Sequence, residues 1–390
     1  DRLPCPYGLI RYGVAADHQH TKAITRQFER LFQDPRVTFA GNVDVGTDID
    51  LDALGEAFDA VVLATGLVAD RGLDLPGGDL PGVFGAGGIV RTLNSHPEGD
   101  PALPDLGSDV VIVGGGNVAI DILRFLVKGA EGYGGSDVAD AALAAYLEHP
   151  ALRVTLLNRS SPAEAKSDPQ MLKELAALPR AAYAAPELAA SETPDDRVAK
   201  ARLAALAELA DPARPAGPGP EVALRFGAVP LRILGDDRVE GVEFAVDGRI
   251  EVAPATSVIT AIGFRPEPDV LSRLLDDHGL PAQATTGRVA PGVYRTGWAK
   301  RGPSGAIPEN RACAKEVADE MLLDLAAGSL RATGAPGLAG LPEAVRERAI
   351  SYDQWMNLER HERELAPSDR VRRKLTQTEA MLAIARTPQT

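Results

Sequence analysis

The stretch Val110-Val-Ile-Val-Gly-Gly-Gly-Asn-Val-Ala-Ile-Asp121 joins a β-branched run to a glycine turn and then to a helix start. Binding a dinucleotide pyrophosphate requires residue types in that order. Val110 to Val113 reads as a strand buried on both faces of a parallel sheet. Gly114 makes the tight turn, and Gly116 lets backbone N–H groups approach a phosphate. Ala119 takes the third position of the motif, where the helix must pack closely on the strand. Asn117 and Val118 lie between them, on the first turn, where the helix presents its positive dipole end.

Arg159 closes the next apolar strand, Val154-Thr-Leu-Leu-Asn-Arg159, which Pro150 precedes and Ser160-Ser-Pro162 follows. An NAD site usually carries Asp or Glu at this tip to bond the ribose 2′-hydroxyl, whereas arginine suits a 2′-phosphate. The plainer reading of Arg159 is a solvated strand-end charge, the common fate of a lone arginine. The crossover between the two strands is long. It holds Gly129 to Gly135 and an Ala-rich helix over 140–147.

Composition narrows the setting. The 390 residues are 45% hydrophobic, 25% charged and 5% aromatic, which is enough chain for two domains. A net charge of −14 argues against a general nucleic-acid binder. No window reaches about eighteen uninterrupted apolar residues, so no membrane insertion is expected. No signal-peptide pattern opens the chain, so a cytoplasmic location is the default expectation. The two cysteines, Cys5 and Cys313, supply neither a Cys-x-x-Cys pair nor the ligands of an iron–sulfur cluster. The six histidines lack metal-ligand spacing. Electron chemistry in this chain would therefore need an organic cofactor.

Two further buried runs end in glycine, Ala60-Val-Val-Leu-Ala-Thr-Gly66 and Ser257-Val-Ile-Thr-Ala-Ile-Gly263. Val222 to Val252 reads as a small β-meander with an Asp247-Gly248 hairpin turn. The Ala- and Pro-rich stretch from Pro186 to Pro220 contains an exposed helix over 197–210 and a loop from Asp211 onward.

Four motifs together resemble the adrenodoxin reductase-like ferredoxin–NADP reductases: Pro6-Tyr-Gly-Leu-Ile-Arg-Tyr-Gly-Val-Ala-Ala-Asp-His18; Gly41-Asn-Val-Asp-Val45; Gly114 to Asp121; and Gly297-Trp-Ala-Lys-Arg-Gly-Pro-Ser-Gly-Ala-Ile307. The last is the most specific, and Trp355 and the basic Arg370-Val-Arg-Arg-Lys374 also look like the family's tail. The resemblance implies an α/β fold of two Rossmann-like, glutathione reductase-type nucleotide-binding domains. The FAD domain is then discontinuous, residues 1–66 and 267–390, and the NADP domain spans 67–266. The implied enzyme, a ferredoxin–NADP(+) reductase, moves electrons between NADPH and a ferredoxin-like iron–sulfur protein through FAD.

Carried over residue by residue, the resemblance assigns Leu9, Val45, Trp298, Gly305, Ala306 and Ile307 to FAD. It assigns Arg71, Gly116, Asn117, Val118, Ala119 and Arg159 to NADP, with Gly114 making the turn. His18 and Glu174 become the polar pair at the nicotinamide–flavin junction, orienting the nicotinamide and assisting proton movement. Asp121 and Arg124 are read as serving the packing and charge of the dinucleotide helix. The family usually begins with its own strand and Gly-x-Gly-x-x-Gly turn for the ADP part of FAD, whereas this chain opens at Asp1-Arg-Leu-Pro. The expectation is a FAD domain incomplete at its N-terminus, with a unit of about 30 residues upstream.

The family pairs two arginines at the strand tip. Here the pair is Arg159-Ser160, and Met171 stands where a carboxylate usually contacts the nucleotide. NADPH is the first choice and NADH stays open. Two other readings of the whole chain also stay open: a related flavin electron-transfer subunit of the glutamate synthase small-subunit kind, and a non-catalytic nucleotide-binding remnant.

If Arg159 pairs with a 2′-phosphate, Arg159→Ala lowers the NADPH/NADH ratio of kcat/KM roughly ten- to a hundredfold, the worth of one charge-assisted contact. Ser160→Arg raises the ratio. A ratio unchanged by Arg159→Ala makes Arg159 a solvated strand-end charge.

Overall fold

The Val110–Val113 run lies in a strand whose five residues, Asp109 to Val113, are all buried. The computed structural model describes residues 1–190, 194–266, 272–273, 276, 283–305 and 307–388. In chain order its strands are β1 (Val61–Leu63), β2 (Ala69–Asp70), β3 (Val83–Gly85), β4 (Asp109–Val113), β5 (Arg153–Asn158), β6 (Ala182–Ala184), β7 (Glu221–Phe226), β8 (Val229–Leu234), β9 (Gly241–Val246), β10 (Arg249–Pro254), β11 (Ser257–Thr260), β12 (Phe264–Arg265), β13 (Arg288–Ala290) and β14 (Val293–Arg295). Six of them form one parallel sheet in the order β3-β11-β4-β5-β7-β6.

Helices cover one face of this sheet: α5 (Ala86–Leu93), α6 (Asn117–Val127), α7 (Asp140–Glu148), α8 (Pro169–Ala176) and α9 (Arg197–Leu209). Earlier in the chain come α1 (Gly8–Tyr12), α2 (Gln19–Lys22), α3 (Thr25–Phe32) and α4 (Leu51–Ala57). Successive side chains of a strand point to opposite faces. Val110 and Ile112 therefore pack with Ile122, Leu123 and Leu126 of α6. Val111 and Val113 pack with Val242, Phe244 and Val246 of the antiparallel β8-β9-β10 meander on the other face. Both faces of β4 are covered, which is the α/β, Rossmann-like arrangement.

The meander is shorter than its sequence suggested, because β7 joins the parallel sheet beside β5. The Asp247-Gly248 turn holds, with positive φ at both residues, 48° and 74°. The helix at α9 forms over nearly the expected span but is exposed on one face only, with Arg197, Val198, Lys200, Ala204, Ala207 and Glu208 outward. Ala199, Ala205, Leu206 and Leu209 are buried against the core, because small alanines there let α9 pack closely on its neighbours.

Beyond the main sheet, β1 pairs in parallel with β14, and β14 pairs with β13. A two-stranded antiparallel ribbon, β2 with β12, lies where the chain passes from Leu63 towards the main sheet and back again. The later helices are α10 (Trp298–Arg301), α11 (Ile307–Ala326), α12 (Glu343–Arg348), α13 (Tyr352–Glu364) and α14 (Thr378–Ala385).

Buried ion pairs tie the two ends of the sequence together. Nη2 of Arg11 donates to both carboxylate oxygens of Glu362, at 2.7 and 2.6 Å, and the guanidinium lies over the Tyr12 and Trp355 rings. Asp137 receives Lys22 at 2.7 Å and Lys374 at 3.0 Å. Burial pushes the Asp137 carboxyl up, but Lys374 and Lys22 together pull it down to about 2. The basic 370–374 stretch is spent on such contacts, with Arg370 on Asp140 at 3.0 Å and Arg372 on Glu359 at 2.6 Å.

Removing one member of a buried pair strands the other charge. Glu362→Ala lowers unfolding stability by about 3–5 kcal/mol at neutral pH, read from urea melts. The carboxyl of Asp137 is depressed, so its contribution is present above its ordinary 3.8 and is lost as pH falls towards about 2. Asp137→Asn flattens the acid limb of the stability curve over that window.

Candidate functional site

Parallel pairing of β11, β4 and β5 brings three strand ends together, and the glycine turn emerges among them. Gly114 sits at φ +140°, and a β-carbon there would collide with the Ala261 carbonyl oxygen. Its N–H donates to the Leu157 carbonyl at 2.9 Å. At Gly115 a β-carbon would collide with the Asn158 amide. Gly114 is closed to a side chain by backbone, and Gly115 by the buried Asn158 side chain. Gly116 is different: it caps α6 in an extended conformation, and a β-carbon there would meet nothing within 4 Å. No side chain caps the α6 N-terminus. Its first N–H groups thus face a bare glycine backbone with open space beside it, a cradle that fits a pyrophosphate. Ala119 is fully buried where α6 crosses the sheet.

Two of the other expected nucleotide residues, Arg71 and Arg159, are exposed, and Val118 packs against the core. The role of Asn117 is visible in its contacts. Its Oδ1 accepts the Asp168 N–H at 2.8 Å, and Asp168 in turn caps α8 through the Gln170 N–H at 2.7 Å. Asn117 thereby fixes the start of α8 against the start of α6, and α8 carries Glu174.

Glu174 reaches His18, with 3.4 Å between Oε2 and Nε2. His18 precedes α2, and its Nδ1 lies 3.8 Å from Oδ1 of Asp121 on α6. Arg124, one turn on, contacts Nε2 of His18 and bonds Asp121 at 3.1 Å and Asp17. Lys128 also binds Asp17. Residues 17–18, 121–128 and 174 therefore form one cluster. Burial and then Arg124 hold the His18 imidazole below its usual range, while Asp17 and Glu174 pull the other way. His18 is neutral at neutral pH. Burial pushes the Asp121 carboxyl up to about 7, against the pull of Arg124 and with the help of Asp17. Assigning Asp121 and Arg124 to packing missed this. Their i,i+3 spacing and the Asp17-His18 adjacency were the available signals.

The other half of the site surrounds Trp298. This residue starts α10, stacks on Phe264 with ring centroids 5.6 Å apart and 23° between planes, and its Nε1 donates to the Gly305 carbonyl at 3.4 Å. Gly297, Gly302 and Gly305 have φ of 63°, 78° and 79°, so the backbone around the indole stays bare. At Gly305 a β-carbon would lie 2.8 Å from that of Glu309. Such a surface fits a planar aromatic ring. Ile307 opens α11, Leu9 is exposed on α1, and Val45 packs with Val43, Ile49 and Ala57. Ala306 lies outside the described residues. Phe264 was not anticipated, since nothing near it in sequence points to Trp298.

No family model matches the chain. It is 37% identical over 392 residues to cindoxin reductase of Citrobacter braakii, covering 99% of this chain and 84% of that protein. It is 33% identical to the NADPH-ferredoxin reductase FprA of Mycobacterium leprae, covering 98% of this chain and 90% of that one. The chain belongs to the ferredoxin- and adrenodoxin-type NADPH reductases. Among solved structures, Mycobacterium tuberculosis FprA in complex with NADPH matches with a TM-score of 0.84 at 31% identity, over 98% of this chain and 91% of that one. As in that reductase family, the fold is α/β and Rossmann-like. None of the described helices is long and apolar enough to cross a membrane, and no metal-binding cluster occurs among the described residues.

In a reductase of this family the cluster should be felt in the reaction with NADPH. His18→Gln and Glu174→Gln each slow flavin reduction by about 1–3 kcal/mol of barrier and leave bound FAD unchanged. Stopped-flow rates equal to wild type in both variants remove the pair from the site. The rate also carries an ionisation near pH 7 from the Asp121 carboxyl, and Asp121→Asn abolishes it.

Proposed function

We propose that this chain holds NADPH in the glycine cradle and FAD against the Trp298 surface, and passes electrons to a ferredoxin-like iron–sulfur carrier. The observation that carries the reading is that α6 holds both ends of the task. Its N-terminus is the anion cradle and, about 6 Å and 10 Å further along its axis, Asp121 and Arg124 enter the His18 cluster. One helix therefore sets the spacing between a pyrophosphate and the polar groups at its far side. Bound FAD supplies the exchange between a two-electron hydride donor and a one-electron carrier.

The protein's own contributions are positional and electrostatic. Gly114, Gly115 and Gly116 keep side chains out of the cradle, while Asn117 links the cradle to α8 and hence to Glu174. Arg159, at the end of β5, is the exposed cation available to a 2′-phosphate, and Arg71 is a further exposed residue on the NADP side. The neutral His18 ring accepts a proton at its unprotonated ring nitrogen and gives it up again as the imidazolium, under the control of Asp121, Arg124 and Glu174. Leu9, Val45, Gly305, Ala306 and Ile307 complete the flavin side. The domain division we propose follows the ribbon: residues 1–66 with 267–390 around FAD, and 67–266 around NADP.

The test is anaerobic titration of the full chain supplied with FAD. Bound flavin absorbance is bleached by about one equivalent of NADPH and restored by an oxidised ferredoxin. Flavin that binds but stays oxidised with NADPH refutes the reading, and failure to bind flavin at all favours the nucleotide-binding remnant.

A further inference from the structure

The ribbon that joins the two halves of the site is held by a carboxylate with no place in the reaction. Asp70 lies on β2, opposite Phe264 of β12, and next to it the Arg71 N–H donates to the Gly263 carbonyl at 3.0 Å. The Asp70 side chain turns away from the ribbon to the N-terminus of α5. Oδ1 accepts the Gly87 N–H at 2.7 Å and Oδ2 accepts the Gly88 N–H at 2.9 Å. No residue beside the helix start supplies a side-chain cap, so α5 is capped from a distant strand. Arg91, on the same helix, closes the clasp: Nη1 donates to the Val68 carbonyl at 2.7 Å, and Nη2 lies 3.9 Å from Asp70.

The glycines of Gly85-Ala-Gly-Gly88 make room for this clasp. A β-carbon at Gly85 would collide with the Asp70 carboxyl, and one at Gly87 would lie 2.6 Å from the Phe264 ring and 2.8 Å from Asp70 Oδ1. Helix α5 is anchored in the nucleotide-side core through Ala86, Ile89, Val90 and Leu93. On the other strand of the ribbon, Phe264 stacks on Trp298. A continuous path thus runs from the core that carries the cradle, through α5 and Asp70, to the ribbon and on to Trp298.

We infer that Asp70 is a positioning residue for electron transfer: its carboxylate pins the β2–β12 ribbon to α5 and so fixes the cradle against the Trp298 surface. The inference rests on the reading of NADPH and FAD given above. A pin of this kind acts on the alignment of the two cofactors and leaves the cradle untouched. Its loss lowers the limiting rate and spares binding of the adenosine half of the nucleotide.

Three measurements on the FAD-supplied full chain decide it: the limiting rate of flavin bleaching by NADPH, the affinity for 2′,5′-ADP, and amide hydrogen exchange at Gly87 and Gly88. For Asp70→Ala the limiting rate falls about ten- to a hundredfold, the scale of an ångström-sized misplacement. The 2′,5′-ADP affinity stays within about twofold, and exchange at the two glycines rises. Asp70→Asn keeps one acceptor oxygen, is the milder change, and falls in between. A limiting rate within about twofold of wild type in Asp70→Ala overturns the proposal, as does a parallel loss of rate and 2′,5′-ADP affinity in both variants. If wild type itself is not bleached by NADPH, the functional reading fails separately. Exchange at Gly87 and Gly88 then still decides the pin, since no rise in Asp70→Ala overturns it.

Discussion

The glycine turn is wedged between the Ala261 carbonyl oxygen and the Asn158 amide, and the rest of the site depends on that approach. Protein interiors are close-packed, so a β-carbon at Gly114 has nowhere to go without moving the backbone after β11, and one at Gly115 displaces the Asn158 side chain of β5. Because the three strand ends are fixed to one another, α6 must start at one point and run in one direction. Asp121, Arg124 and Lys128 then meet Asp17 and His18, which arrive from a segment over a hundred residues earlier in the chain, as the separation of 107 between Arg124 and Asp17 shows.

The electrostatics follow from that geometry. The His18 cluster brings two carboxylates and two cations of α6 and the Asp17-His18 segment into partial burial, which leaves the imidazole neutral and one carboxyl easy to protonate. The Arg11, Glu362, Lys374 and Asp137 network is of a different kind. There Arg11 meets Glu362 and Lys374 meets Asp137 in burial, so the network joins the ends of the chain. Comparable residue types thus do different work according to how completely they are paired.

Features set by local rules were legible in the sequence. The β4-turn-α6 unit and the Asp247-Gly248 hairpin were read correctly because backbone sterics and strand burial act over a few residues. Family resemblance supplied the function, and the relatives bear it out. Contacts that join distant segments were not legible. Asp70 capping α5, Phe264 stacking on Trp298, and Arg11 meeting Glu362 across 351 residues leave no local trace. The buried face of α9 was missed for a physical reason too, since alanines fit a close helix contact as well as they fit water.

The central claim is that the α6 cradle and the His18 cluster serve one nucleotide lying towards Trp298. A crystal structure of the full chain with FAD and NADP+ measures this most directly. The account predicts the pyrophosphate over Gly116 and the α6 N-terminus, and the nicotinamide between His18, Glu174 and the flavin ring beside Trp298. A nucleotide bound elsewhere, or one whose nicotinamide lies away from His18 while the pyrophosphate occupies the cradle, contradicts it.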